Sequence, residues 1–374
     1  YGTAMFKFKQ FHREEIECVM TRGEKYLDKD SRNPVTVFAD INEDAIRRDL
    51  TINALYYNVS TGEILDLVGG REDINNHIIR TTNQNPDIVF DDDPLRILRV
   101  IRFATRYGWE IEKKTYESMK KYSKRLKIIT KERIQAEFNK ILMSENAVMG
   151  INMLHDIGAM TFIVPEFEKC YGLTQNRFHF GDVAEHTLAV LDYHCKHFDA
   201  DLTERLACFL HDIGKTMTRS VKDGKVHFYD HEYVGAGMVG DILRELKYDN
   251  DTIKKVQFLI RNHMRTKQAG DGAKYMKDKS LHKLLYECKT FEMFKSLMRI
   301  IECDNEAHAK DCCIHNQYSE LVAKVELEGS HSKMFGYKLP VTGEDIMSVL
   351  GLEPGPIIAE INKRLLNQAF MDPE

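Results

Sequence analysis

From about residue 91 to its end, this 374-residue chain keeps one hydrophobic period, that of the α-helix. The pattern is plain in "DDDPLRILRVIRFATRYG" (91–108) and "KERIQAEFNKILMS" (131–144). A chain patterned this way buries its apolar stripes helix against helix, not within a sheet. The first ~70 residues differ, with period-two alternation and turn residues. "AMFKFK" (4–9) and "EEIECVMT" (14–21) each predict a half-buried strand; in the second, Glu15 and Glu17 share one face and Ile16, Cys18 and Met20 the other. "DAIRRDLTINAL" (44–55) predicts a helix, and "LYYNVSTGEILDL" (55–67) a hairpin with Gly62 in its turn. The expected class is α+β, a sheet-bearing front followed by a mostly helical body, with boundaries near 81, 165 and 310.

Composition sets limits. With 43% hydrophobic and 30% charged residues the chain is globular, long enough for two or three domains. No apolar run reaches the ~18 residues of a membrane helix, and no signal peptide opens the chain. The eight cysteines form no CxxC pair, which predicts a reducing, cytoplasmic setting. Cys312-Cys313, with His308 and His315 nearby, lacks a second ligand pair at finger spacing. The net charge of −5 argues against a generally basic coat, yet Arg99 to Lys140 holds 13 Lys/Arg against 5 Asp/Glu. With Tyr107, Trp109, Tyr116 and Tyr122 interleaved, that stretch is either a solvated helix surface or an RNA-facing strip of cations and rings.

"DDDPLRILR" (91–99) reads as a helix start, with Asp93 at the N-cap and Pro94 at the first helical position. Arg96 lies one turn on, so Asp93 and Arg96 form one edge with an acceptor and donors. Cytosine and adenine each offer an amino donor beside a ring-nitrogen acceptor; uracil and guanine reverse that order. Such an edge can select C and A without a template, although a cap with an ion pair one turn away explains Asp93 equally well. "RRD" (47–49) offers guanidinium forks for a triphosphate and a carboxylate to hold them, with Asn53 in reach of a ribose hydroxyl; a surface salt-bridge pair is the plainer alternative. Gly69-Gly70 marks a tight turn. Further on, His211-Asp212 follow the apolar run "LACFL" (206–210), where a buried charge is expensive without a partner.

Three segments, "RRDLTINAL" (47–55), "LDLVGGREDINNHIIRT" (65–81) and "DDDPLRILRVIRFATRYG" (91–108), resemble in order and spacing the class II tRNA nucleotidyltransferase and bacterial poly(A) polymerase family. "KERIQAEFNKILMS" (131–144) and "LHDIGAMTFIVPEF" (154–167) continue the match. The resemblance implies the C-terminal part of a nucleotidyltransferase palm sheet in 1–81, a helical neck for nucleotide selection in 82–165, a metal-binding domain in 166–310 and a helical tRNA-binding tail in 311–374. It implies nucleotide-binding roles for Arg47, Arg48, Asp49, Asn53, Asp92, Asp93, Arg96 and Arg99, with Asp92 where the family usually has glutamate. ATP, CTP and tRNA are the implied partners and Mg²⁺ the cofactor of transfer. The family's glycine-rich turn and metal-binding DxD are expected upstream of Tyr1; "DKD" (28–30) lies in a polar, turn-like stretch, and Glu17 offers only an auxiliary acid. Residues 1–374 alone are therefore expected to polymerise poorly.

"AEHTLAVL" (184–191), "ACFLHDIGK" (207–215), "YDHEYVGA" (229–236), "RNHM" (261–264) and "IIECDNEAH" (300–308) resemble the HD phosphohydrolase superfamily. The resemblance implies His186, His211, Asp212 and Asp304 as metal ligands, and His231 and His263 as the additional histidines of members that hold two metals. Imidazoles with carboxylates suit Mn²⁺, Co²⁺, Ni²⁺ or Zn²⁺, and Lys215 is placed to stabilise phosphate charge. "TGEDIMSVLGLEPGPIIAEINKRL" (342–365) looks like the family's RNA-binding tail, with Thr342 or Gly343 capping one helix and "EPGP" turning into the next; a helical-hairpin interaction module fits the pattern equally. The leading expectation is a transferase adding C and/or A to tRNA 3′ ends. A poly(A) polymerase of the same family, an HD phosphohydrolase with a degenerate RNA-binding front half, and a non-catalytic RNA-binding protein are the alternatives.

Overall fold

The structure, a computed structural model, describes residues 3–7, 15–25, 35–175, 181–266, 276–308, 313, 317–327 and 333–371. The "DKD" at 28–30, Cys312 and His315 lie outside them. The chain divides into two compact units, Tyr1–Glu168 with Glu245–Tyr248, and Lys169–Arg244 with Asp249–Glu374.

The first unit opens on β1 (Thr3–Lys7), β2 (Glu15–Val19), β3 (Arg22–Lys25) and β4 (Val35–Phe38). β1 pairs antiparallel with β2, Met5 opposite Glu17, and β3 pairs with β4. Then come α1 (Ile41–Arg47), the hairpin β5 (Leu55–Tyr57) and β6 (Ile64–Asp66), α2 (Gly70–Asn76) and β7 (Ile78–Ile79). Gly62 takes φ +73° in the expected hairpin turn. The Asp66 carboxylate accepts the N–H groups of Val68, Gly69, Gly70 and Arg71, so the Gly-Gly turn is wrapped around an anion. A Cβ on Gly70 would stand 2.3 Å from the Thr51 carbonyl oxygen, which is why the second glycine is needed.

The helix expected over 44–55 is shorter and starts earlier. α1 ends at Arg47, and only Thr51–Asn53 turns again, as a 3-10 helix. Side-chain hydrogen bonds, most of them from a distant segment, outcompete the helix here. The Thr82 hydroxyl donates to the carbonyls of Ile46 (2.7 Å) and Arg48 (2.6 Å), and the Asp49 carboxylate accepts the Leu50 N–H at 2.9 Å.

The helical part of this unit is α3 (Pro86–Asp92), α4 (Leu95–Tyr107), the short β8 (Glu110–Ile111) parallel to β7, α5 (Lys113–Tyr122), α6 (Lys131–Leu142) and α7 (Ala147–Asp156). α4 packs on α6 and α7, and its Ile97, Leu98, Ile101 and Ala104 are fully buried. Its start differs from expectation. Pro94 occupies the N-cap position and Asp93 closes α3, its N–H bonding the Val89 carbonyl at 3.4 Å. Asp91 and Asp92 are thus the last turn of a preceding helix, announced by Asn85-Pro86, where the Asn85 side chain caps the Asp87 N–H. Asp93 still serves α4, accepting the Leu95 N–H at 3.1 Å.

The second unit holds α8 (Val183–His197), α9 (Leu202–Leu210), α10 (Lys215–Thr218), the hairpin β9 (Arg219–Lys222) and β10 (Lys225–Phe228), α11 (His231–Glu245), α12 (Asn250–Asn262), α13 (Asp278–Cys288), α14 (Phe291–Glu306), α15 (Gln317–Leu327), α16 (Gly343–Leu350) and α17 (Pro356–Ala369). Thr342 caps α16 in a reciprocal box with Asp345, and Pro356 starts α17 after Gly355.

Three of these helices meet on one buried carboxylate. Glu204 of α9 takes His194 Nε2 of α8 at 2.8 Å on one oxygen, and Ser296 (2.6 Å) and Arg299 (3.0 Å) of α14 on the other. Burial alone would push this carboxyl up; the bonds from His194, Ser296 and Arg299 outweigh it and hold it below the usual range. Unfolding therefore takes up a proton in acid, so the stabilisation is present above the ordinary carboxyl range and is lost as pH falls through the depressed value. Glu204→Ala leaves three donors without their acceptor and should cost about 3–5 kcal/mol at neutral pH. Thermal melts across an acid-to-neutral series should show the gap between wild type and Glu204→Ala narrowing in acid; a constant gap rejects the assignment.

Candidate functional site

The candidate side chains gather in two places, one in each unit.

In the second unit, the capped start of α8 carries His186, the turn after α9 carries His211 and Asp212, α11 begins at His231, His263 follows α12, and Asp304 lies in the last turn of α14. All six are buried, and they form two metal-competent groups, His186–His211–Asp304 and Asp212–His231–His263. His186 Nε2 is 3.1 Å from Asp304 Oδ1. Asp212 faces both groups. Its Oδ2 is 3.2 Å from His211 Nε2 and 3.6 Å from His186 Nε2, and its Oδ1 is 3.4 Å from His231 Nε2 and 4.0 Å from His263 Nε2.

The imidazoles share one orientation. Each Nδ1 points at a backbone carbonyl: His186 at Ala307 (3.3 Å), His211 at Cys208 (2.9 Å), His231 at Phe228 (2.8 Å) and His263 at Ile260 (2.6 Å). A carbonyl can only accept, so on His211, His231 and His263 Nδ1 carries the proton and Nε2 presents its lone pair inward, the tautomer that ligates a metal, while His186 Nε2 is hydrogen-bonded to Asp304 at 3.1 Å. The Nε2 atoms of His211, His231 and His263 are buried without a hydrogen-bond partner. Buried polar atoms left unpaired are costly, and a divalent cation would satisfy all three while neutralising two carboxylates. The residues present therefore fit a borderline transition metal. Burial pushes His263 down to about 3, so its imidazole is held neutral.

Lys215 sits beside this centre. Its Nζ forms an ion pair with Asp212 Oδ2 at 2.6 Å and donates to Gln175 Oε1 at 2.7 Å. Neither Gln175 nor His308 is expected in this centre from the sequence. The His308 ring lies 5.5 Å from that of His186, and its Nδ1 donates to the Asp304 carbonyl at 2.5 Å. The signal for His308 is its position four residues beyond Asp304, one helical turn away. Gly214 closes the geometry: a Cβ there would stand 2.1 Å from the His231 carbonyl oxygen and 2.6 Å from the Gly235 nitrogen. Only glycine lets the turn after Asp212 touch α11 closely enough to bring His231 to Asp212.

In the first unit, five candidates form a chain of contacts. Arg47 Nη2 is 2.5 Å and Arg48 Nη2 3.0 Å from the two oxygens of Asp44. Arg48 Nη1 donates to the Asn53 carbonyl at 3.1 Å, and Asn53 Nδ2 to Asp49 Oδ1 at 3.2 Å. Asp49 Oδ2 pairs with Arg99 Nη2 at 2.6 Å. The carboxylate that holds the two arginines is thus Asp44, not Asp49; its three- and four-residue spacing to Arg47 and Arg48 is the signal for it. Asp49 instead bridges fifty residues to α4. There Arg96, Arg99, Arg102 and Arg106 share one face, spaced 3, 3 and 4, with Arg102 paired to Glu137 at 2.9 Å. Asp93 and Arg96 are not bonded to each other: Asp93 Oδ2 meets Arg133 at 2.8 Å, and Arg96 Nη1 the Val89 carbonyl at 3.4 Å. Asp92 is exposed at the end of α3. Glu17 is exposed on β2, and among the described residues it joins no metal-competent group.

The basic stretch is partly neutralised. Lys121 pairs with Asp87, and Arg125 with Asp91 at 2.8 Å. Lys120, Lys124 and Lys127 are exposed.

Gly214→Ala should overpack the centre, costing about 1–3 kcal/mol and lowering the metal retained after purification in divalent-ion buffer. Elemental analysis of both proteins checks this; equal metal content rejects it.

Residues 2–80 match the family model described as the poly A polymerase head domain, 108–171 the probable RNA and SrmB-binding site of polymerase A, and 183–291 the HD domain. An A-adding tRNA nucleotidyltransferase of Deinococcus radiodurans is 28% identical over 87% of this chain and 74% of its own length. A multifunctional CCA protein of Pseudomonas syringae pv. syringae is 31% identical over 72% of this chain and 65% of its own length. Another, of Pseudomonas paraeruginosa, is 36% identical over 56% of this chain and 51% of its own, so the chain spans about half to two thirds of these two relatives. Among solved structures, the Bacillus stearothermophilus CCA-adding enzyme in complex with CTP shares the fold over 100% of this chain and 78% of its own, with a TM-score of 0.69 at 19% identity. No helix among the described residues is long and apolar enough to cross a membrane. Head, RNA-binding and HD segments in this order, with relatives named for CCA and A addition, place the chain in the tRNA nucleotidyltransferase and poly(A) polymerase family with a fused HD domain.

Proposed function

We propose that this chain belongs to a template-independent tRNA nucleotidyltransferase that adds C and/or A to tRNA 3′ ends, joined to a metal-dependent phosphohydrolase. The Asp49–Arg99 pair carries the first half of this reading, since it ties the "RRD" segment to the arginine face of α4. Arg47 and Arg48, oriented by Asp44, are the triphosphate forks, and Asn53 the ribose contact. Asp93 and Arg96, with Asp92 beside them, present the edge that accepts cytosine or adenine; both would exchange their present partners, Arg133 and the Val89 carbonyl, for the base. β1 and β2 would then be palm strands, with Glu17 an auxiliary acid. Among the described residues Glu17 has no companion ligands, so these residues do not by themselves fit the Mg²⁺ of transfer. In the division we propose, 1–81 is the head, 82–165 the neck, 166–310 the HD domain and 311–374 the tail.

For the hydrolase, His186, His211 and Asp304 would hold one divalent ion and Asp212, His231 and His263 another. Such an ion would lower the pKa of a bound water and polarise phosphorus. The backbone carbonyls behind each Nδ1 fix the imidazoles, and Lys215 offsets the charge of Asp212 and, with substrate, of phosphate. A blocked 3′ end must be cleared before nucleotides are added, so 2′,3′-cyclic or terminal phosphates are the substrates that suit this pairing.

A poly(A) polymerase of the same family is the second reading, supported by the head-domain match; incorporation from ATP alone against CTP with ATP separates the two. Arg96→Ala in the complete protein should relax discrimination against UTP and GTP by about 1–3 kcal/mol. Unchanged relative incorporation of the four nucleotides counts against the base-edge role. Residues 1–374 with Ni²⁺, Mn²⁺ or Co²⁺ should hydrolyse 2′,3′-cAMP or a generic phosphate ester, and a His211→Ala, Asp212→Ala double variant should not. Equal background rates in both proteins remove the hydrolase.

A further inference from the structure

The second unit contains a cleft of about 710 Å³ outside both groups described above. Its walls come from α11, α12, α13 and the turn at 336–338, so it is built by elements far apart in sequence. Four exposed cations line it, Arg261, Lys283, Lys289 and Lys338. Among the described residues none of the four has a carboxylate partner. The one carboxylate lining the cleft, Glu287, is already paired with Arg265. The cleft therefore holds a strong unneutralised positive charge.

Between the cations stand aromatic rings. Tyr233 is 48% exposed, with the Arg261 guanidinium over its ring at 5.1 Å, and Tyr286 and Tyr337 are half-buried. Cations alone would suit any polyanion. Cations interleaved with ring faces suit one whose planar groups are free to stack, which is unpaired RNA; a duplex keeps its bases stacked on one another. The cleft also adjoins the metal-competent centre along the chain: Asn262 lines it and His263 is the next residue, and Tyr233 is two residues past His231.

We infer that this cleft binds single-stranded RNA, its phosphates held by Arg261, Lys283, Lys289 and Lys338 and its bases stacked on Tyr233, Tyr286 and Tyr337. The site is separate from the basic stretch of the first unit and does not require that the HD centre be catalytic.

The test uses the full chain and a 4-thiouridine-labelled oligouridylate of about ten nucleotides. Photo-crosslinked peptides should map to Tyr286 and Tyr337, both in the wild type and in a Lys120→Glu, Lys124→Glu variant that disables the other basic stretch. In that background, Lys283→Glu with Lys338→Glu and Lys289→Gly should weaken binding at least ~tenfold and reduce the salt slope by roughly two to three. Lys289 has φ +63°, which glycine adopts freely, so its replacement spares the turn. Tyr286→Phe should keep binding and Tyr286→Ala lose it; unlabelled duplex RNA should not compete. Crosslinks that miss the cleft, or affinity unchanged in the triple variant, overturn the proposal. So does a polyglutamate peptide that occupies the cleft while the oligouridylate does not, since the site would then take acidic protein.

Discussion

Glu204 is the point on which the second unit turns. The three helices it joins, α8, α9 and α14, are those that deliver His186, His211 with Asp212, and Asp304. A centre made of buried imidazoles and carboxylates does not hold itself together without a cation, because its acids repel and the Nε2 atoms of His211, His231 and His263 lack hydrogen-bond partners. Something else must pre-align the helices. A carboxylate fully engaged by donors from two neighbouring helices does this at a safe remove: it is satisfied whether or not the centre is filled. The backbone carbonyls behind the four imidazoles complete the preparation, so the ligands are already in the orientation they need.

The same economy appears in the first unit with opposite charge. A helix with an apolar face and an arginine face must place its guanidinium groups against something. Asp49 and Glu137 take two of them, from segments fifty and thirty-five residues away. Those two pairs hold the head segment and α6 to one helix, while Arg96 keeps a long contact to the Val89 carbonyl.

Much of this could be read in the sequence, where single residues carried strong local constraints. Gly62, Thr342 and Pro356 marked turn, cap and helix start because their backbone preferences leave few choices. The six residues at 186–304 came into view through their resemblance to the HD superfamily, and the fold gathers them into two buried groups. Asp44 and Glu204 did not stand out, since a carboxylate on a helix is ordinarily a solvated residue, and only tertiary packing shows which donors surround it. The helix expected over 44–55 broke for a related reason: Thr82, thirty-four residues beyond Arg48, captures its carbonyl. The first acids of "DDDP" end a helix rather than open one, because the start signal at Asn85-Pro86 lies upstream and already commits them.

The arginine face of α4 also limits how such a protein can change. Each residue of an α-helix turns the chain by about 100°. A single inserted or deleted residue between Arg96 and Arg102 would swing one arginine into the packed core and part either Asp49 or Glu137 from its partner. The arginine face of α4 can drift only through exchange of individual side chains along a fixed register.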